Sequence, residues 1–164
     1  MTEFDLSDDA IRLAVNSSMD SFKQWLNNSV RTLGFRPSEQ FKSRTLSTIF
    51  NEIIQSSLAT RLGLVKSKSD NIDSLKTERG HPVRIYVSSS GLSGIRGNRV
   101  QSKSSFVIIV IWSKGDGSNI SSYSIEGVWV GRLTREDWIR GETIFLLYKS
   151  ATTSANNLRT PLVL

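Results

Sequence analysis

The stretch Asn71-Ile72-Asp73-Ser74-Leu75-Lys76-Thr77-Glu78-Arg79-Gly80-His81-Pro82-Val83-Arg84-Ile85-Tyr86-Val87-Ser88-Ser89-Ser90-Gly91 decides how the chain is to be read. Two short β-type runs flank the turn signal Gly80-His81-Pro82. In the second run, strand alternation puts Val83, Ile85 and Val87 on one face and Arg84, Tyr86 and Ser88 on the other. The back of that strand is apolar and its front is polar, which is the pattern of a strand that packs on one side and presents chemistry on the other.

Upstream of this hairpin the apolar period is helical. Ile11, Val15, Met19, Phe22, Leu26, Val30 and Leu33 recur every three or four positions, and Ser7-Asp8-Asp9 provides an N-cap and first-turn carboxylates. The pattern predicts an amphipathic helix closed by Gly34. A second helix is expected from Ser38 or Ser43 to Arg61, with Leu46, Ile49, Phe50, Ile53, Ile54, Ser57 and Leu58 as its buried stripe and Gly63 as its stop. Glu52 falls at the edge of that stripe, either solvated or leaning into a cleft.

Downstream the runs are short and β-like. Strands are expected near 64–66, 72–75, 83–89, 105–112, 123–133 and 143–149, with a hairpin turn at 114–119 and a short helix at 134–138. The run Phe106-Val107-Ile108-Ile109-Val110-Ile111-Trp112 is apolar on both faces, so it should lie inside a sheet covered on each side. Residues 91–97 read as a Gly-rich loop in which Arg96, followed by Arg99, meets phosphate or a base edge. Residues 150–157 form a polar tail, and 158–164 could dock at an edge.

These patterns predict one α+β (α/β) domain over residues 1–164: a helical part at 1–62, a central mixed sheet at 63–150 and a tail at 151–164. The 106–112 run is far shorter than the roughly 18 residues a bilayer helix needs, and the acidic start, Met1-Thr2-Glu3-Phe4-Asp5, is unlike a secretory leader. A cytoplasmic protein with no membrane partner is expected. With no cysteine and one histidine, disulfide scaffolds, thiolate chemistry and His-rich zinc sites are excluded. His81, alone before a proline, reads as a turn residue rather than a base.

The formal charge of +6 is concentrated. Residues 1–60 carry six basic and seven acidic side chains, 104–164 six and five, and 61–103 nine and three. Within that middle window Lys66, Lys68, Arg84, Arg96, Arg99 and Lys103 are the candidate nucleic-acid contacts, interleaved with Ser and Gly that admit phosphate oxygens closely.

Residues 45–112 resemble the core of the PD-(D/E)xK, or restriction-endonuclease-like, nuclease superfamily. There a helix bearing a glutamate precedes a β-hairpin with Asp on one strand and Glu-x-Lys on the other. The resemblance implies Glu52 as the helix glutamate and Asp73 as the first-strand aspartate, with Tyr86 and Ser88 at the Glu and Lys positions. It implies a catalytic set of Glu52, Asp73, Tyr86 and Ser88. Asp73 and Glu52 would be the metal ligands and Asp70 or Glu78 a migrated third one, for Mg²⁺ where hydrolysis is retained. Phenol and hydroxyl are poor ligands for a hard cation, and serine offers no positive charge to the phosphorane. Three readings therefore stand: a metal-dependent endonuclease acting on double-stranded DNA, a DNA-binding relative that has lost hydrolysis, and a non-enzymatic interaction subunit. A homodimer, or an accessory place in a larger nucleic-acid complex, is expected by analogy.

Overall fold

The computed structural model describes residues 5–35, 37–69, 72–89, 91, 95–98, 105–115, 122–133, 138–140 and 145–148, with backbone alone at 38–39, 67–69, 72–74, 96–98, 138–140 and 145–148. Helices α1 (Asp8–Leu33), α2 (Pro37–Gln40) and α3 (Ser43–Arg61) come first. Strands β1 (Val65–Ser69), β2 (Ile72–Lys76), β3 (Pro82–Ser88), β4 (Arg96–Asn98), β5 (Ser105–Ser113), β6 (Ser124–Leu133), β7 (Trp138–Arg140) and β8 (Phe145–Tyr148) follow. The architecture is α+β, as the change from helical to alternating period implies.

Helix α1 starts where Ser7 Oγ accepts the Ala10 N–H at 3.1 Å, with Asp8 and Asp9 facing the positive end of the helix dipole. It stops at Gly34, whose φ of 73° lets its N–H turn back to the Val30 carbonyl. Its buried side chains end at Ser29, however, and Val30 and Leu33 are 41% and 55% exposed. The expected stripe was two positions too long: a 26-residue helix extends about 39 Å against about 29 Å for the 19-residue α3, so its last turns outrun their cover.

A five-stranded mixed sheet has the order β1-β2-β3-β5-β6, and a three-stranded antiparallel sheet has the order β4-β8-β7. Strands β3 and β5 run parallel in the register Arg84↔Val107, Tyr86↔Ile109 and Ser88↔Ile111. One face of the large sheet, with Val83, Ile85, Ile108, Val110, Trp112, Val128 and Val130, packs under α1 and α3. On the other face Val107, Ile109 and Ile111 pack with Ile95 and Leu133, and the half-buried Tyr86 and Trp129 lean on them. This burial on both faces is why the 106–112 run lacks alternation.

The core beneath the helices is aromatic. Phe22 and Phe50 meet edge to face at 4.6 Å, Phe50 and Trp112 lie 4.0 Å apart, and Trp112 and Tyr123 5.4 Å. Where α1 and α3 cross, Ser18 donates to Ser57 Oγ or to its own Ala14 carbonyl, so the buried hydroxyl is satisfied.

Two local expectations need correction. Arg96 lies not in a loop but in β4, paired with Leu147 of β8, a partner about fifty residues away that local pattern cannot reveal. Trp138 opens strand β7 rather than ending a helix, while 134–137 lie outside the described residues, as do 150–164. The β5–β6 pairing fits a hairpin through Gly115, whose φ is 60°, though most of the expected turn at 114–119 is likewise outside them. Among the described residues no helix is long and apolar enough to cross a membrane.

Candidate nucleic-acid interface

Strand β2 pairs with β1 along its whole length but with β3 only at Leu75↔Val83 and Lys76↔Pro82. Past Val83 the β1–β2 hairpin has left β3, and a side chain from α3 fills in: Gln55 Nε2 donates to the Ile85 carbonyl at 3.0 Å. The separation opens a cleft of about 620 Å³ along the edge of β3.

Helix α3 forms one wall. Thr48, Asn51, Glu52, Gln55, Ser56 and Ala59 line it, spaced three and one, three and one, as one helical face must be. This polar face adjoins the buried stripe of Leu46, Phe50, Ile54 and Leu58. The opposite wall takes Lys66 from β1, Leu75 from β2 and residues 83–87 of β3. Lys66 and Glu52 are exposed, whereas Arg84 and Tyr86 are half-buried.

The cleft thus gathers four of the residues singled out from sequence: Glu52, Lys66, Arg84 and Tyr86. The others are elsewhere. Ser88 shares the face of Arg84 and Tyr86 but does not line the cleft, and Tyr86 itself packs partly on the second core cluster. The backbones of Lys68 and Asp73 are cross-strand partners on β1 and β2, and their side chains lie outside the described structure. Arg96 is in the other sheet, and Arg99, Lys103 and Asp70 fall outside the described residues. Glu78 is exposed in the β2–β3 turn, away from the cleft.

Among the described residues, Lys66, Arg84 and Glu52 have no salt-bridge partner, in contrast to Arg12 with Asp9 and Arg79 with Asp5. Two cations on the strands and one carboxylate on the helix are thus among the residues that line the cleft. The described donors do not fit a hard divalent cation. Glu52 is the one carboxylate among the lining residues, a phenol and hydroxyls accompany it, and no group of three His, Cys, Asp or Glu within metal-holding reach occurs among the described residues.

Sequence reasoning passed over Asn51 and Gln55. Asn51 Oδ1 accepts the indole N–H of the buried Trp112 at 2.9 Å, which joins the cleft wall to the aromatic core. The signal was present in the i, i+4 spacing of two amides flanking Glu52 on the polar side of an apolar stripe.

It also passed over the partner of His81. Asp5, only 9% exposed, receives Thr77 Oγ1 at 2.7 Å and His81 Nδ1 at 2.8 Å, with Arg79 at 3.5 Å. The Thr77 hydrogen bond, followed by the His81 hydrogen bond and the charges of His81 and Arg79, holds the Asp5 carboxyl below the usual carboxylate range against the opposing effect of burial. Burial alone raises the Tyr123 phenol.

Comparison of the chain with family models, with curated proteins and with solved structures returns no match.

Proposed function

We propose that the chain binds nucleic acid, seating the sugar–phosphate backbone of a DNA strand in the cleft between α3 and β3, as a restriction-endonuclease-like domain that has lost hydrolysis. One observation carries this reading. Lys66 of β1 and Arg84 of β3 line one cleft, and neither forms a salt bridge among the described residues. Two cations without a salt bridge, opposite the Thr48 and Ser56 hydroxyls of the helical wall, suit phosphate oxygens: arginine gives a planar fork of donors and lysine a mobile point charge. The order of the elements also supports the resemblance: Glu52 on the helix before the hairpin, Asp73 on β2, Tyr86 and Ser88 on β3. With tyrosine and serine at the last two positions and one described carboxylate in the cleft, binding is favoured over cleavage. A single cleft meets a single strand, so engagement of both strands of a duplex would call for a second copy or a partner subunit.

The test is fluorescence anisotropy with a labelled oligonucleotide between about 50 and 200 mM salt, beside a plasmid-nicking assay with and without Mg²⁺. Affinity should fall steeply with salt, and replacing Lys66 and Arg84 by alanine should weaken binding and flatten the logarithmic salt slope by about two. Binding that is indifferent to salt or to both substitutions would overturn the proposal. Mg²⁺-dependent nicking abolished by Asp73→Ala would overturn the loss of hydrolysis.

A further inference from the structure

Strand β3 is fully paired along one side only. Strand β5 accompanies it from Val83 to Ser88, whereas β2 stays for Lys76↔Pro82 and Leu75↔Val83 and then leaves with β1. The ladder that stops there has a fixed parity. Thr77 N–H donates to the His81 carbonyl at 3.0 Å and Leu75 pairs with Val83, so the next hydrogen-bonded rungs of the same antiparallel ladder fall at Ile85 and Val87. Main-chain groups alternate along a strand between its two sides, so the N–H and C=O of Ile85 and Val87 point to the side that β2 has left. Gln55 Nε2, which comes from that side, meets the Ile85 carbonyl at 3.0 Å. All of residues 83–87 line the cleft. Consecutive strand residues face opposite sides of a sheet, so a space that touches every one of them runs along the strand's edge.

An open edge offers donors and acceptors in alternation, and the ligand that returns the same alternation is another main chain. A phosphate strand brings acceptors for the N–H groups and no regular donor for the carbonyls. The Ile85 carbonyl is held for now by a side-chain amide, the group closest in kind to a peptide bond. We infer that the cleft takes an extended peptide, which displaces Gln55 and adds to β3 as an antiparallel strand with rungs at Ile85 and Val87. The register also says what that peptide carries. Leu75 and Val83 pack toward the helices, and Lys66, cross-strand from Leu75, shares their face with Glu52 and Ala59 of the helical wall close by. A residue opposite Ile85 or Val87 falls on this face, where an apolar side chain extends the buried surface and a carboxylate would meet Glu52. Arg84 and Tyr86 fall on the other face, and Arg84 forms no salt bridge among the described residues. A carboxylate opposite Tyr86 is diagonal to Arg84 and within reach of its long side chain. The partner is a segment in which apolar and acidic residues alternate.

The inference goes beyond the nucleic-acid reading and rests on main-chain groups that reading does not use. The experiment is fluorescence anisotropy of the full chain with a labelled peptide in which valine and aspartate alternate over about eight residues. Three companions accompany it: one with asparagine for aspartate, one N-methylated at every valine and one N-methylated at every aspartate. In antiparallel addition the residue opposite Ile85 shares its face and exchanges both bonds with it, so the valine N–H groups are the ones that meet β3.

Methylation at valine should weaken binding by about tenfold or more, through the loss of both rungs, and methylation at aspartate should leave it nearly unchanged. The asparagine peptide should bind about fivefold more weakly than the aspartate one, and Arg84→Ala should bring that ratio close to one. Val87→Pro removes one edge donor and leaves the β5 side of the strand its pairing, so it should weaken the parent peptide while the far-ultraviolet circular dichroism is kept. Equal weakening by the two methylations, or by neither, overturns strand addition without recourse to any variant of the chain. Equal affinity of the asparagine and aspartate peptides overturns the acidic partner. Sedimentation as a dimer that Val87→Pro dissociates would mean that a second copy holds the edge, and overturns the peptide as its occupant. Salt-dependent binding of an oligonucleotide with no binding of any peptide overturns this inference and leaves the nucleic-acid reading standing.

Discussion

At the turn that leads into β3, the Asp5 carboxylate is met by Thr77, His81 and Arg79, and the turn closes on itself through Gly80, whose φ of 84° lets its N–H reach the Thr77 carbonyl at 2.9 Å. A few residues along the same strand, Arg84 lines a cleft together with Lys66 of β1, and neither forms a salt bridge among the described residues. Both regions are rich in polar groups. The first spends its groups on one another, as a structural knot does, and the second leaves them over. A charge that the fold does not neutralise costs self-repulsion and solvation constraint, so retaining two in one cleft is intelligible when a ligand supplies the opposite charge. The difference separates the polar residues that hold this chain together from those that offer it to a partner.

The most damaging way to probe this contrast is from the core on which both regions rest. Phe50 is fully buried between Phe22, Trp112 and Tyr123, immediately before Asn51 on α3. Phe50→Ala should cost about 3–5 kcal/mol in denaturant unfolding, through lost burial and the cavity left behind. The knot and the cleft should then fail together in a single transition, which intrinsic tryptophan fluorescence and far-ultraviolet circular dichroism would report with one midpoint. Two separated midpoints would show that the regions are independent units.

A smaller and sharper effect belongs to the knot alone. Thr77 is 6% exposed, and its hydroxyl both donates to Asp5 and accepts the His81 N–H at 3.2 Å. Thr77→Val keeps the shape and removes both bonds, at a cost of about 1–3 kcal/mol. Oligonucleotide affinity and its salt slope should be unchanged. Loss of binding in this variant, measured where it is fully folded, would erase the distinction between the two regions.

How far each region was legible in the sequence follows from the distance over which its interactions reach. The long helices, the alternation in β3 and the two-faced burial of β5 are local periodicities, and they were readable from a few consecutive residues. Glu52 and the middle-window cations Lys66 and Arg84 could be singled out because charge type and spacing are also local. The parting of β2 from β3, which brings those three together, was not legible, because it depends on how far two strands stay paired. Strands β4 and β7, three residues each, owe their form to β8 and have no pattern of their own. The Asp5–His81 contact joins residues 76 positions apart, so the histidine looked isolated.

That contact also yields the mildest prediction, and it concerns acid. Thr77, then His81 and Arg79, lower the Asp5 carboxyl in the folded chain, while unfolding returns it to about 3.9. A lowered folded value means that the ionised carboxylate is bound more favourably in the native state. Its contribution to stability is therefore complete above about pH 3.9 and drains away as pH falls through the lower folded value. Asp5→Asn should be less stable than the parent chain at neutral pH, and the gap between their denaturant midpoints should narrow as the pH is taken down through that window. A gap that stays constant through the acid range would mean that Asp5 acts by shape and hydrogen bonding without its charge, and the knot would then differ from the cleft in geometry alone.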